Sequence, residues 1–358
     1  MIPYWVLFFL TAWLAVTQLR PVQSQSARWP ASWHAIFWLL VLMIGLRDEV
    51  GGDWVHYFAS LEKSANIPLQ ELFSGSTAIL QKDPAYILLN WLANQTGMGI
   101  YFIDTVCAVL FTWGLVVFCR AQPRPWLALV VAVPYLVIVV AMGYTRQGTA
   151  IGLAMIGLVA LSERKMLRFV VFVVLAATFH KSAVILMPLA ILAGTKNKIW
   201  TAIWVGLSSM LFYVLLLQDS ADALITNYVG AEYQSQGAGI RVSMNAVPAV
   251  LFLWFRRRFV MSEADRTFWT WMSLGALGFV VALVASPSST AVDRTALYWI
   301  PLQLFVLSRL PNAIGRPNGL NGMWVRLIVF YSAAVLFVWL FFSANSFVWL
   351  PYNNLIWS

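Results

Sequence analysis

Charge is scarce in this chain of 358 residues: 10% are Asp, Glu, Lys or Arg, against 61% hydrophobic ones. So few charged side chains cannot cover a soluble globule of this size, which excludes water as the main solvent. Cysteine is nearly absent. Cys107 and Cys119 share one predicted helix, about 18 Å apart at ~1.5 Å rise per residue, so no disulfide framework holds the fold. The motifs of soluble enzymes are missing too: no phosphate-binding loop ending in Lys-Ser/Thr, no GxSxG, no HExxH, no paired CxxC and no DxD. Nothing points to cytoplasmic ATP or nucleotide-sugar chemistry. Strand-type alternation is also lacking, which argues against a β-barrel.

What the chain does have is long apolar runs. Residues 33–46, 126–142, 166–179, 200–217, 268–285 and 325–342 are each helix-length, separated by short polar punctuation, and the mean hydropathy is +0.77. The first run, 2–19, has no basic residue ahead of it and no small-residue cleavage site behind it, so it reads as a retained span. The expected fold is all-α: a polytopic integral membrane protein with about 12 transmembrane helices, filling residues 1–358 as one membrane domain. Segments 47–97 and 218–241 are long enough to cover a site on one face. The first is expected to hold a helix lying on the bilayer surface.

The net charge of +9 does not imply a nucleic-acid partner, because the basic residues are sorted by loop. Counting spans alternately puts 16 of the 23 basic residues on one face, among them Arg20, Arg120, Arg124, the run Arg256-Arg257-Arg258, and Arg309. The other face keeps 7 basic residues with 11 of the 14 acids. The positive-inside rule then sets the basic face in the cytoplasm and both termini outside.

Ionisable groups are costly at the ends of spans, so those on the outer face are the candidates for function. They are Arg47 with Asp53 and Tyr57; Asp83, Tyr86 and Asn90; Arg146 and Gln147; His180 and Lys181; and Asp293, Arg294 and Tyr298. Spacings within the groups are helical: Asp53 and Tyr57 are four apart, as are Arg294 and Tyr298. Plainer roles compete. Arg47 and Lys82 sit where basic side chains ordinarily reach for the membrane edge, and Asp83 ahead of Pro84 fits a helix N-cap. Arg146 interrupts apolar sequence on both sides, and a buried guanidinium needs an anion. Basic groups with one or two candidate bases at a membrane surface suit an anionic, lipid-tethered substrate. Arginines can grip a lipid diphosphate and stabilise it as a leaving group while a carboxylate or imidazole deprotonates an attacking hydroxyl.

Gly45-Leu46-Arg47, Val50-Gly51-Gly52-Asp53 with Tyr57, and Asp83-Pro84-Ala85-Tyr86 with Asn90 resemble the EpsG family of exopolysaccharide polymerases. Arg146-Gln147, Thr178-Phe179-His180-Lys181-Ser182 and Asp293-Arg294 with Tyr298 follow in the family's order, so the resemblance covers roughly residues 40–310. Gly52 departs from the family's usual Thr, which bears on loop geometry. The resemblance implies a Wzy-type, GT-C-like inverting glycosyltransferase, similar in role to O-antigen ligases and needing neither metal nor other cofactor. It would polymerise undecaprenyl-diphosphate-linked repeats at the outer face of the bacterial inner membrane. It further implies Arg47, Arg146 and Arg294 as diphosphate contacts, Lys181 assisting, and His180 or Asp53 as base. Donor and acceptor lipids, a flippase and a chain-length co-polymerase are the implied partners. Two rivals stay open: a lipid-linked oligosaccharide flippase, which would need polar groups through the membrane depth, and an outer-face O-acyltransferase using His180.

Overall fold

The computed structural model describes residues 1–22, 28–65, 83–189, 237–286, 288–316 and 318–357, together with 67, 68, 70, 72 and 203. Lys82, the run at 200–217 apart from Ile203, and positions 218–236 of the expected cover lie outside the described residues.

Two apolar helices open the chain, α1 (Ile2–Thr17) and α2 (Ala31–Gly45). The shorter α3 (Trp54–Ser64) and α4 (Pro84–Thr96) follow, then α5 (Gly99–Arg120). Helix α6 (Pro125–Ala132) runs into a π-helical stretch (Val133–Ala141) and is followed by α7 (Thr145–Ser162) and α8 (Met166–Phe179). Beyond them come α9 (Ala238–Phe255), α10 (Glu263–Ala285), α11 (Ser289–Ala296), α12 (Ile300–Ile314) and α13 (Gly322–Phe342). Among the described residues the only strands are β1 (Arg47–Asp48) and β2 (Asn353–Asn354), paired antiparallel with Arg47 opposite Asn354.

This is an all-α membrane protein. By length and composition four described helices can cross a bilayer: α5, α9 with its arginine turn, α10 and α13. Helices α1, α2, α6 with its π-helical continuation, and α8 are apolar but shorter, which makes eight such helices among the described residues against the expected dozen. Helices α7 and α12 are buried on nearly every side and form the centre.

Small residues let this centre close. Gly114 of α5 faces Gly152 of α7 so tightly that a Cβ on the first would overlap the carbonyl of the second, and Gly45 of α2 meets the backbone of Thr105 in the same way. Three helices therefore pack backbone to backbone, as expected where hydrocarbon supplies no hydrophobic drive between helices.

Polar side chains close the two ends differently. At one end Arg124 ties α1, α12 and the start of α13 together, donating to Asn312 Oδ1 and to the carbonyls of Leu19, Gly319 and Leu320. At the opposite end lie both termini, with Tyr4 Oη donating to the Trp349 carbonyl at 2.9 Å and the Leu355 N–H to the Leu46 carbonyl at 2.8 Å. The candidate residues gather at this second end.

Candidate active site

Arg47, expected to contact substrate, is instead sealed inside the protein at 0% exposure. Its guanidinium donates to Asp104 Oδ1 at 3.1 Å, Thr145 Oγ1 at 2.7 Å, the Val50 carbonyl at 3.1 Å and the Ile44 carbonyl. These bonds join α2, α5 and α7 and occupy the donors that a phosphate would need. Asp104 escaped the sequence reading, although it is the one carboxylate between Asp83 and Glu163. Asp104→Ala would leave Arg47 charged and buried without its carboxylate, and is expected to cost about 3–5 kcal/mol. Replacing both residues with apolar ones of similar volume should restore much of that loss, measured by thermal unfolding in detergent.

Next to Arg47 the chain turns at Gly51, whose φ of +112° and contact with the Met142 carbonyl admit no side chain. The turn is held by Gly51 N–H donating to Val348 O at 2.8 Å and Asp53 N–H to Gly143 O at 3.3 Å. Beneath it lies Trp349, fully buried, with Nε1 donating to the Ile138 carbonyl at 2.8 Å and its ring against Gly143 and Gly52. The C-terminal segment thus forms the floor that presents Asp53.

Asp83 occupies the N-cap position of α4, yet its carboxylate does not cap that helix. It accepts instead from Arg146 Nη1 at 2.8 Å and from the Lys181 N–H at 3.1 Å, joining the starts of α4 and α7 to the break after α8. Arg146, its side chain 30% exposed, lies 5.8 Å and 5.5 Å from the ring centres of Tyr57 and Tyr86. Asp53 accepts from Tyr57 Oη at 3.3 Å and has Arg294 Nη1 at 4.0 Å. Arg294 lies 3.8 Å over the face of Tyr144, and its carbonyl accepts from Gln147 Nε2 at 2.6 Å. His180 Nδ1 is 3.0 Å from Tyr298 Oη. Burial pushes the His180 imidazole down to about 4; Asp83 opposes the shift, while Arg146 and Arg294 add to it. The ring is therefore neutral at pH 7.

Two sequence candidates take supporting places. Asp293 is engaged by Arg241, whose Nε and Nη2 reach its carboxylate at 2.7–3.1 Å. Asn90 donates within its own helix to the Tyr86 carbonyl at 2.6 Å. Arg241, which the sequence reading only counted among the outer-face charges, thus joins the cluster. Four buried polar atoms here have no partner among the described residues: Tyr86 Oη, Asn90 Oδ1, Arg146 Nε and Gln147 Oε1. Buried polar atoms without a partner are unusual in a closed interior, and water or a bound polar group is the ordinary way to satisfy them.

Fold and site together define a class: an all-α membrane protein with a cation-rich polar cluster assembled at one end from segments distant in sequence. A family model described as the EpsG family matches residues 31–354, and the chain belongs to that family. No curated protein and no solved structure matches it.

Proposed function

We propose that this EpsG-family chain is a polysaccharide polymerase. It acts at the outer face of the bacterial inner membrane, moving a growing glycan from its undecaprenyl-diphosphate carrier to the non-reducing end of another lipid-linked repeat. The observation that carries this reading is the meeting of three guanidinium groups, Arg146, Arg241 and Arg294, with three carboxylates, Asp53, Asp83 and Asp293, beside orphaned polar atoms. Arg146 and Arg294 remain partly exposed, and a diphosphate offers acceptor oxygens that suit a guanidinium fork.

In this reading Arg146 and Arg294, each about one-third exposed, take the diphosphate with Lys181 assisting. Arg47, being sealed, is withdrawn from that role. The acceptor hydroxyl oxygen attacks the anomeric carbon from the face opposite the diphosphate. Its bond to carbon forms as the bond from carbon to the diphosphate oxygen breaks, giving inversion. We assign the base to His180, because Asp53 is already engaged by Arg294 and Tyr57. That role needs the tautomer in which Nδ1–H donates to Tyr298, leaving the Nε2 lone pair for the hydroxyl proton. The departing charge rests on guanidinium groups, the part a cation plays elsewhere. The proposal keeps a GT-C-like arrangement, both termini outside, and a flippase and a chain-length co-polymerase as partners.

The test is to incubate purified protein with an undecaprenyl-diphosphate-linked repeat. Longer lipid-linked products are expected, with the same yield in EDTA. Repeats that stay single contradict the polymerase reading, and a yield abolished by EDTA contradicts metal independence.

A further inference from the structure

Helices α9 and α13 flank a cavity of about 710 Å³ whose walls are mainly apolar, among them Met244, Val247, Val335 and Val338. Tyr135 of the π-helical stretch and Trp339 of α13 also line it, their rings edge to face at 6.1 Å. On α9 the lining runs from Gly237 to Val247, about 15 Å at ~1.5 Å per residue. On α13 it runs over a similar length, from Tyr331 to Phe342. Both stretches are the halves nearest the candidate site, and their length matches one leaflet, half of a ~30 Å hydrocarbon core. The rim residues Ile240 and Phe342 are exposed, so the cavity opens sideways between two helices that can cross a membrane. Its polar end carries Arg241, bound to Asp293, which precedes Arg294 in α11. An apolar channel one leaflet deep therefore ends at the cations of the site.

We propose that this groove takes the polyprenyl tail of the lipid-linked glycan, leading its diphosphate past Arg241 to Arg294. The inference rests on the polymerase reading and names where its lipid substrate lies. The charge at the polar end favours this occupant over an ordinary phospholipid: the groove is a single channel leading to several cations, and a polyprenyl diphosphate offers one tail and two phosphates.

Photocrosslinking tests this without needing activity. p-Benzoyl-phenylalanine replaces Ala334 in the groove or Val281 on the exposed face of α10, in full-length protein. The vesicles are phosphatidylethanolamine and phosphatidylglycerol with radiolabelled undecaprenyl diphosphate. A probe inside the groove meets the tail in every bound complex, whereas one facing bulk lipid meets it only by collision, so capture of label at 334 should clearly exceed that at 281. Equal capture, or capture of phospholipid alone at 334, overturns the groove. By filling the groove, Val247→Trp should slow transfer from a long-tailed donor about tenfold, the scale of a steric overpacking, and leave a donor with a short isoprenoid tail within about twofold. Unchanged transfer from the long-tailed donor also overturns it, and the crosslink decides alone if this variant does not fold. Capture at 334 by protein that elongates nothing refutes the polymerase reading only; elongation without that capture refutes the groove only.

Discussion

Arg146→Ala should leave the protein in the membrane and slow glycan elongation by about 10²- to 10³-fold, the usual effect of removing one donor aimed at developing charge. The side chain stands in the first turn of α7, beside the neighbouring rings of Tyr57 and Tyr86, with its guanidinium on Asp83. Its loss removes a contact to the leaving diphosphate and leaves Asp83 holding only the Lys181 N–H among these bonds. The segment that carries His180 then loses part of its anchor. Arg146→Lys should not restore the rate, since an ammonium has no planar fork with which to hold Asp83 and a phosphate oxygen at once. In cells single repeats should accumulate on lipid. A normal ladder of chain lengths in Arg146→Ala would remove the residue from the mechanism.

His180→Ala should slow elongation by about 10²- to 10⁴-fold, the range for loss of a general base, with donor affinity little changed. Tyr298→Phe should act in the same direction with a smaller effect, because it frees a ring whose Nδ1 is now held at 3.0 Å. A fall in kcat at constant KM marks a base and its positioning residue; a rise in KM alone would put His180 in binding instead. The imidazole value also sets a pH expectation. Because it lies near 4 in the folded protein against 6.5 without the fold, the stability tied to this group is complete above about pH 6.5 and is lost as pH falls toward 4. Mild acid should therefore weaken the wild type, measured by thermal unfolding, and His180→Ala should flatten that part of the profile.

The sequence made the membrane class and the end-of-span clusters readable, because ionisable groups stand out against apolar helices. It did not disclose how those groups divide between structure and chemistry. Arg47 reads like Arg146 in one dimension, but Asp104, fifty-seven residues on, lies opposite it and takes it out of reach. Asp83 looked like a cap because Pro84 follows it; its partners are sixty-three and ninety-eight residues away, beyond any local pattern. The C-terminal segment was missed for a different reason. Aromatic residues near a membrane surface need no special explanation, so nothing about Trp349 announced a wedge beneath the Asp53 turn. The apolar runs at 33–46, 126–142 and 166–179 do form helices of that length, which is itself shorter than a full span.

The most direct measurement compares the affinity of purified protein for undecaprenyl diphosphate and for the alcohol with the same tail. If the gathered cations hold a diphosphate, the charged lipid should bind tighter by about tenfold or more, one to two charge-assisted hydrogen bonds' worth, and Arg146→Ala with Arg294→Ala should erase the difference. Equal affinity of the wild type for the two lipids would contradict it.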